Sequence, residues 1–478
     1  MVKSAEILQN DFMVPRNSKV RNLELLWTLM EEFINPEHEL VQLSERIKWS
    51  QLCSSIEDCY KADGRPGLSI RLMLGLQLLK YMYKLSDEEV CARWCENPYF
   101  QYFCGEIYFR HELPIDRSSM TVFRQRIGAE NLEKALQESL SVAYEVGALD
   151  PKAVDKVIVD TTVQSKAVVF PTDGKLLYRA IEHLGEVAAE QNIVLRQSYI
   201  RVAKRRHHES LRYRHAKQHN RAKRCEKKLK TWCGRIIRDI ERKMPKEASG
   251  KLYDVLHKAK RILAQTHAIR DVVPSKERIY SWHMPEVECI SKGKVDKPYE
   301  FGCKVSVATN LVASAGGHFI LHISALHGNP YDGHTLKGAI EGIKNICQKE
   351  PKRIYVDLGY KGHNYDEGKH KVFKSHQKRG VTAQIKRELR SRSLIEPIIG
   401  HLKEDSMLGR NRLKGRVGDR VNAILTPCAF NFRQILAFIR RLCRFFIALF
   451  LSSHNTNPLN DTGHYEHQPK LFLPILAA

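Results

Sequence analysis

Three acidic residues stand at positions from which they could share divalent cations. Asp160 closes the apolar run Val157-Ile158-Val159, and Asp357 closes Ile354-Tyr355-Val356. Each run predicts a strand ending in a carboxylate, at the sheet edge where open α/β sheets bind ligands. Glu396 lies four residues after Arg392 and seven before Lys403. At ~100° per residue these steps place all three side chains on one helix face. The chemistry such a set serves is in-line displacement at a phosphodiester. Two divalent ions ~3.5–4 Å apart can activate the attacking oxygen and neutralise the leaving one. Hard ions such as Mg²⁺ take carboxylate oxygens and keep several waters. On this basis Asp160, Asp357 and Glu396 are candidate metal ligands, and Arg392 and Lys403 would meet phosphates on either side.

Plainer roles exist for each residue. A strand-end Asp often caps the next turn, and Arg392 with Glu396 is an ordinary (i, i+4) ion pair. Asp332, within GNPYDGHT, is expected in a loop near the site rather than as a ligand. Asp366, Glu367, Glu404 and Asp405 fall in polar stretches and are expected to be solvated. The chain has no G-x-S-x-G and no G-x-x-x-x-G-K-[ST] segment, so neither a serine nucleophile nor a nucleotide cofactor is expected.

The elements that must position these residues are partly legible. The first 150 residues read as helical. LSIRLMLGLQLLKYMY, residues 68–83, is a long apolar helix. Ser86 and Glu89 have the spacing of a capping box. A later helix beginning near Ser118-Ser119 carries Arg124 and Arg126 and is compatible with a helix-turn-helix DNA reader or with an ordinary bundle. Further on, strands are expected at 157–160, Tyr299–Asn310, His318–Leu326 and Arg353–Val356. Helices are expected over Thr335–Cys347 and from Lys386 through Lys403, with a kink at Pro397. That order suits an α/β domain with a mixed sheet flanked by helices, as in an RNase H-like fold.

The 478 residues carry 78 Lys and Arg against 54 Asp and Glu, a formal +24 that points to a polyanionic partner. The excess is concentrated. Leu177–Arg270 reads as helical throughout, and residues 201–243 hold 17 Lys and Arg against four acids. Like charges at that density repel unless a polyanion relieves them. Arg205, Arg206, Arg212, Arg221, Lys227 and Lys228 are candidate phosphate contacts, with Tyr199, Tyr213 and Trp232 interleaved. A solvated face is the plainer account. The 12 cysteines sit mostly alone in apolar stretches, and Cys91, Cys95 and Cys104 are expected as packed helix residues rather than zinc ligands. Residues 1–20 hold no continuous apolar run, so reduced thiols and a cytoplasmic place are expected. Residues 435–451 are apolar but contain Arg440, Arg441 and Arg444, which predicts a basic amphipathic helix rather than a membrane span.

Several blocks together resemble bacterial insertion-sequence transposases of the DDE class, in particular the insertion sequence 5 family. They are GRPGLSIRLMLGLQLLKYMYKLSDEEV, NPYFQYFCGE, SSMTVFRQRIG, VDTTVQ with FPTD, KGKVDKPYEFGCKVSVAT, GNPYDGHTL, VDLGYKG and RSLIEPIIGHLKEDSMLGRNRLKG, in that order. The last contains Arg392-x3-Glu396-x6-Lys403. Many relatives carry Tyr three residues before that Arg; here the position is Leu389. The resemblance implies an RNase H-like catalytic domain with Asp160, Asp357 and Glu396 as its acids and two Mg²⁺ or Mn²⁺ ions. It implies double-stranded DNA partners (terminal inverted repeats and target DNA), a homodimer, and a bacterial, nucleoid-associated place. The expected organisation is a helical DNA-binding region at 1–150, a catalytic domain at 151–176 and 271–435, a basic helical insertion at 177–270, and a C-terminal helix and tail at 436–478. A catalytically inactive DNA-binding relic or regulator of the element is the alternative.

Overall fold

The computed structural model describes residues 28–57, 59, 68–245, 249–266, 277–291, 298–363, 365 and 371–454. The leading helices are α1 (Met30–Phe33), α2 (Glu39–Arg46), α3 (Trp49–Glu57), α4 (Ile70–Met82), α5 (Asp87–Glu96), α6 (Pro98–Phe103) and α7 (Arg117–Glu145). α4 is apolar all round and buried along almost its whole length, as a central core helix must be. Ser86 and Glu89 form the expected capping box of α5. Asn97 caps α6, with Pro98 at its first position where no N–H is needed. Asp116 caps α7, which breaks at Gly128, where φ is +69°.

The sheet begins with β1 (Lys156–Ser165). Four helices follow, α8 (Asp173–Glu190), α9 (Ile200–His215), α10 (His219–Lys243) and α11 (Gly250–Gln265), in the stretch expected to be helical. Then come β2 (Glu288–Ser291), β3 (Tyr299–Asn310), β4 (Ile320–Leu326), α12 (Asp332–Cys347), β5 (Arg353–Val356), β6 (Lys371–Lys374), α13 (Ala383–Ser391), α14 (Ile395–Glu404) and α15 (Gly415–His454). β3 is antiparallel to β1 on one edge and to both β2 and β4 on the other. β5 is parallel to β1, and β6 is parallel to β5. The result is a mixed sheet within a helix-rich α/β chain.

Three expectations need correction. β1 does not end at Asp160; the β-branched Thr161, Thr162 and Val163 carry it on to Ser165, so Asp160 lies mid-strand opposite Val307. No kink forms at Pro397. It falls in the first turn of α14, where a missing N–H costs nothing, and the chain turns earlier, in a 3-10 segment at Arg392–Leu394. Asp332 is the first residue of α12, not part of a loop.

β1 alternates sides. Val157 and Val159 join a large core that also holds Leu74, Leu78 and Tyr81 of α4, Leu136 and Leu140 of α7, and Val421, Leu425 and Phe432 of α15. Ile158 joins a smaller cluster with Tyr355, Phe373, Ile385 and Ile395. Helices therefore cover the sheet on both faces. α8–α11 enclose a third cluster of their own, around Leu184, Leu229, Cys233, Ile237 and Leu256. No helix among the described residues is long and apolar enough to cross a membrane.

Candidate active site

Strand register brings the first two acids together. β1 and β5 are parallel with Ile158 beside Tyr355, so Asp160 and Asp357, each two residues on, come level on neighbouring strands. Neighbouring strands lie about 4.8 Å apart. By the same alternation both side chains emerge on the side of Ile158 and Tyr355, the side that α13 and α14 cover.

α13 is fixed there by Glu388, buried among donors from the sheet. Lys156 Nζ stands 2.6 Å from its carboxylate and Arg353 Nη1 3.0 Å, and the Tyr355 hydroxyl donates to it. Ile385 and Ile395 pack into the small cluster on either side of the turn. Beyond α13 the 3-10 turn presents Arg392, and the first turn of α14 presents Glu396. The Arg392 guanidinium sits among all three acids, 3.5 Å from Asp160 Oδ2, 3.5 Å from Asp357 Oδ1 and 3.6 Å from Glu396 Oε1. Its side chain is 13% exposed, whereas those of Asp357 and Glu396 are 49% and 67% exposed. The site is thus a buried cation under two carboxylates that open to solvent.

Asp160 is the enclosed acid. Burial pushes its carboxyl up to about 6, against the hydrogen bond from the Thr161 N–H and the charge of Arg392, and with further upward pressure from Asp357 and Asp332. Lys403 does not join the acids. It lies in the last turn of α14, with Nζ 3.6 Å from Glu300 of β3.

A second layer lies beside the acids; Asp332 was expected near the site, and Lys304 and Thr161 were not. Asp332 accepts from Thr161 Oγ1 at 2.9 Å and pairs with Lys304 Nζ at 3.0 Å. Lys304 also donates to the Pro330 carbonyl. Gly359 lets the chain after Asp357 pass close to Asp332, since a Cβ there would lie 3.0 Å from Asp332 Oδ2. The available signal was the Asp of GNPYDGHT with the Lys of FGCK, both in the blocks that carry the resemblance.

The candidate DNA contacts divide. Arg124 is 5% exposed and chelates Asp87 with bonds of 2.9 and 2.6 Å, while Lys80 holds the same carboxylate at 2.6 Å. It is an interior ion-pair residue of the helical core, not a phosphate contact. A basic residue inside a helix pattern does not declare which way it faces, and the acid that takes it inward is 37 residues away. Arg126 is exposed on the same helix. Arg205 and Arg212 are exposed on α9, and Arg221, Lys227 and Lys228 on α10. Arg206 is half-buried and paired with Glu209 at 2.5 Å. On α10 the buried set Ala222, Cys225, Leu229, Cys233 and Ile236 leaves the cations on the opposite side. His207 of α9 is buried and stacks on Tyr178, and burial lowers it to about 4.

Comparison with known proteins places the chain in a family. Residues 28–126 match the transposase domain DUF772. An uncharacterized protein of Rhizobium meliloti, ORF8 of the nfe locus, is 46% identical over 189 residues, spanning 40% of this chain and 91% of the relative. The chain belongs to this transposase family. No solved structure matches it.

Proposed function

We propose that the chain is a DDE-class transposase of the insertion sequence 5 type, and that Asp160, Asp357 and Glu396 hold two Mg²⁺ or Mn²⁺ ions at the scissile phosphate. The observation that carries this reading is the convergence of three carboxylates, from two parallel strands and a helix, on one guanidinium. Strand order supports an RNase H-like core: β1, β3 and β4 antiparallel, then β5 and β6 parallel beside β1, with the short β2 added alongside the start of β3. The donors fit hard cations. All three are oxygens, and two open to solvent where DNA can reach. Bound ions would supply Lewis-acid stabilisation of the phosphate and a more acidic water or 3′-hydroxyl.

The chain's own residues have separable tasks. Glu388 and the small apolar cluster hold α13 and the turn against the sheet, so Arg392 and Glu396 are placed over Asp160 and Asp357. Arg392 offsets the repulsion of three clustered carboxylates. Lys304 and Asp332 hold Thr161, whose N–H in turn fixes Asp160. The outer faces of α9 and α10 give a cationic track for the DNA backbone, which positions without reading sequence. The substrates in this reading are terminal inverted repeats and target DNA, acted on by a homodimer at the bacterial nucleoid.

The test is cleavage of a labelled duplex bearing the element's own end, with Mg²⁺. Wild type should nick at the end. Asp160→Ala, Asp357→Ala and Glu396→Ala should lose nicking yet shift the duplex as wild type does. Loss of binding in parallel with cleavage would make the acids structural and overturn their catalytic assignment.

A further inference from the structure

A second group of ligand-type side chains gathers around Cys303 of β3, built from residues that the acid site does not use. Cys303 stands near the start of β3, His327 directly after β4, and Asp419 near the start of α15. One ligand atom from each lies within 4.8 Å of the others. Cys303 Sγ is 3.6 Å from His327 Nδ1. Zn–S of ~2.3 Å and Zn–N of ~2.0 Å at a tetrahedral angle put sulfur and nitrogen ~3.5 Å apart.

The surroundings leave donor atoms unspent. Asp419 is 1% exposed, and its Oδ1 is engaged by Lys166 Nζ at 3.0 Å and Asn411 Nδ2 at 2.9 Å. Its Oδ2 is buried with no hydrogen-bond partner. Glu288, at the start of β2, stands 3.9 Å from the same His327 nitrogen. Its Oε1 accepts from the Gly328 N–H, and its Oε2 is also buried and unpartnered. A buried carboxylate oxygen without a donor is costly unless a proton or a cation meets it. The buried Lys166 ammonium does not fill that need, since it is shared between Asp419 Oδ1 and Glu286 at 3.0 Å each.

We propose that Cys303, His327 and Asp419 form a structural site for a borderline transition-metal dication of the zinc class, with the Glu288 carboxylate at its border as a fourth donor. One thiolate, one imidazole and one carboxylate favour zinc-type ions over the hard ions that an all-oxygen acid set takes. Bound there, the ion ties β2, β3, the β4 exit and the start of α15 into one unit at the sheet's edge. Binding releases the thiol proton, so affinity rises with pH.

The experiment is titration of the full-length purified protein with Co²⁺ alone, followed by absorption. Wild type should show a sulfur-to-cobalt charge-transfer band and the intense visible bands of tetrahedral cobalt, saturating at one ion per chain. Cys303→Ser should lose the charge-transfer band. His327→Gln should weaken Co²⁺ by at least about 100-fold, the upper end of what losing even an outer-shell partner costs. An Asp160→Ala, Asp357→Ala double variant should keep the band, because the acid site offers no sulfur. A wild-type titration without a thiolate band, or a band that survives Cys303→Ser, overturns the site. Zinc retained through gel filtration by wild type but not by Cys303→Ser gives the same answer without relying on cobalt.

Discussion

Asp160 couples protonation to stability at the scale of a single residue. Its carboxyl is raised to about 6 by burial, while an unfolded Asp titrates near 3.9. The folded state therefore keeps the proton longer. Metal-free stability should fall as pH rises from about 4 to about 6 and stay lower above that. Asp160→Asn removes the penalty, and should raise unfolding free energy at pH 7 by about 1–3 kcal/mol with chelator present. Urea denaturation at pH 4.5 and 7 reads it, and an Asn variant less stable than wild type at pH 7 sinks the account. Arg124 makes the opposite case. Removing one partner from a buried ion pair costs about 3–5 kcal/mol, so Arg124→Met should lower stability by that order and leave DNA affinity per folded molecule unchanged. A selective loss of DNA binding at full stability would return Arg124 to the phosphate contacts. Residue identity told which carboxylates to inspect, because VIVD and IYVD mark strand-borne acids. It did not tell that Arg392 also reaches Asp160 and Asp357, because those contacts come from strands far away in sequence, while its (i, i+4) contact with Glu396 is the local one.

Elements with strong periodicity or β-branched runs were legible, and short ones were not. β3 and β5 were recognised with the bounds they have, because their runs are apolar and flanked by turn residues. β2 and β6, four residues each, went unnoticed: ECIS and KVFK are too short to show a period. The insertion was legible as helix and as charge, and its face was not. α10 now supplies that face, and with it a prediction. Arg221→Gln, Lys227→Gln and Lys228→Gln together should leave helicity and melting unchanged and flatten the salt dependence of DNA binding. Each lost phosphate contact should lower the log–log slope by about 0.9. A slope equal to wild type's would make this face merely solvated.

Across the whole molecule, two large cores divide the labour. One joins the N-terminal helices, the sheet and α15; the other gathers α8–α11 with Ile193, Ile279 and Trp282. Leu229 and Phe432 are both fully buried, one in each. Leu229→Ala should cost about 2–5 kcal/mol and Phe432→Ala about 3–5 kcal/mol. Hydrogen exchange should show Leu229→Ala loosening α8–α11 with the sheet still protected, and Phe432→Ala loosening the sheet and α4 together. Uniform loss of protection in both variants would mean that the cores unfold as one. The sequence showed the insertion as a charge anomaly but gave no hint that the N-terminal helices share a core with the sheet, because such long-range packing leaves no local period.

That shared core has a consequence for how the protein is made. α15 begins at residue 415, yet it furnishes Asn422 to the Tyr81 hydroxyl, Asn431 to Ser139 and to the backbone of Ile320, and Arg433 to the Met82 carbonyl. On the ribosome, the apolar sides of α4 and α7 must wait for α15 before they are closed. Until then those apolar faces stay exposed, and exposed apolar surface on a folding intermediate is prone to aggregate. A premature stop before Gly415 would yield an aggregating product rather than a shorter DNA binder.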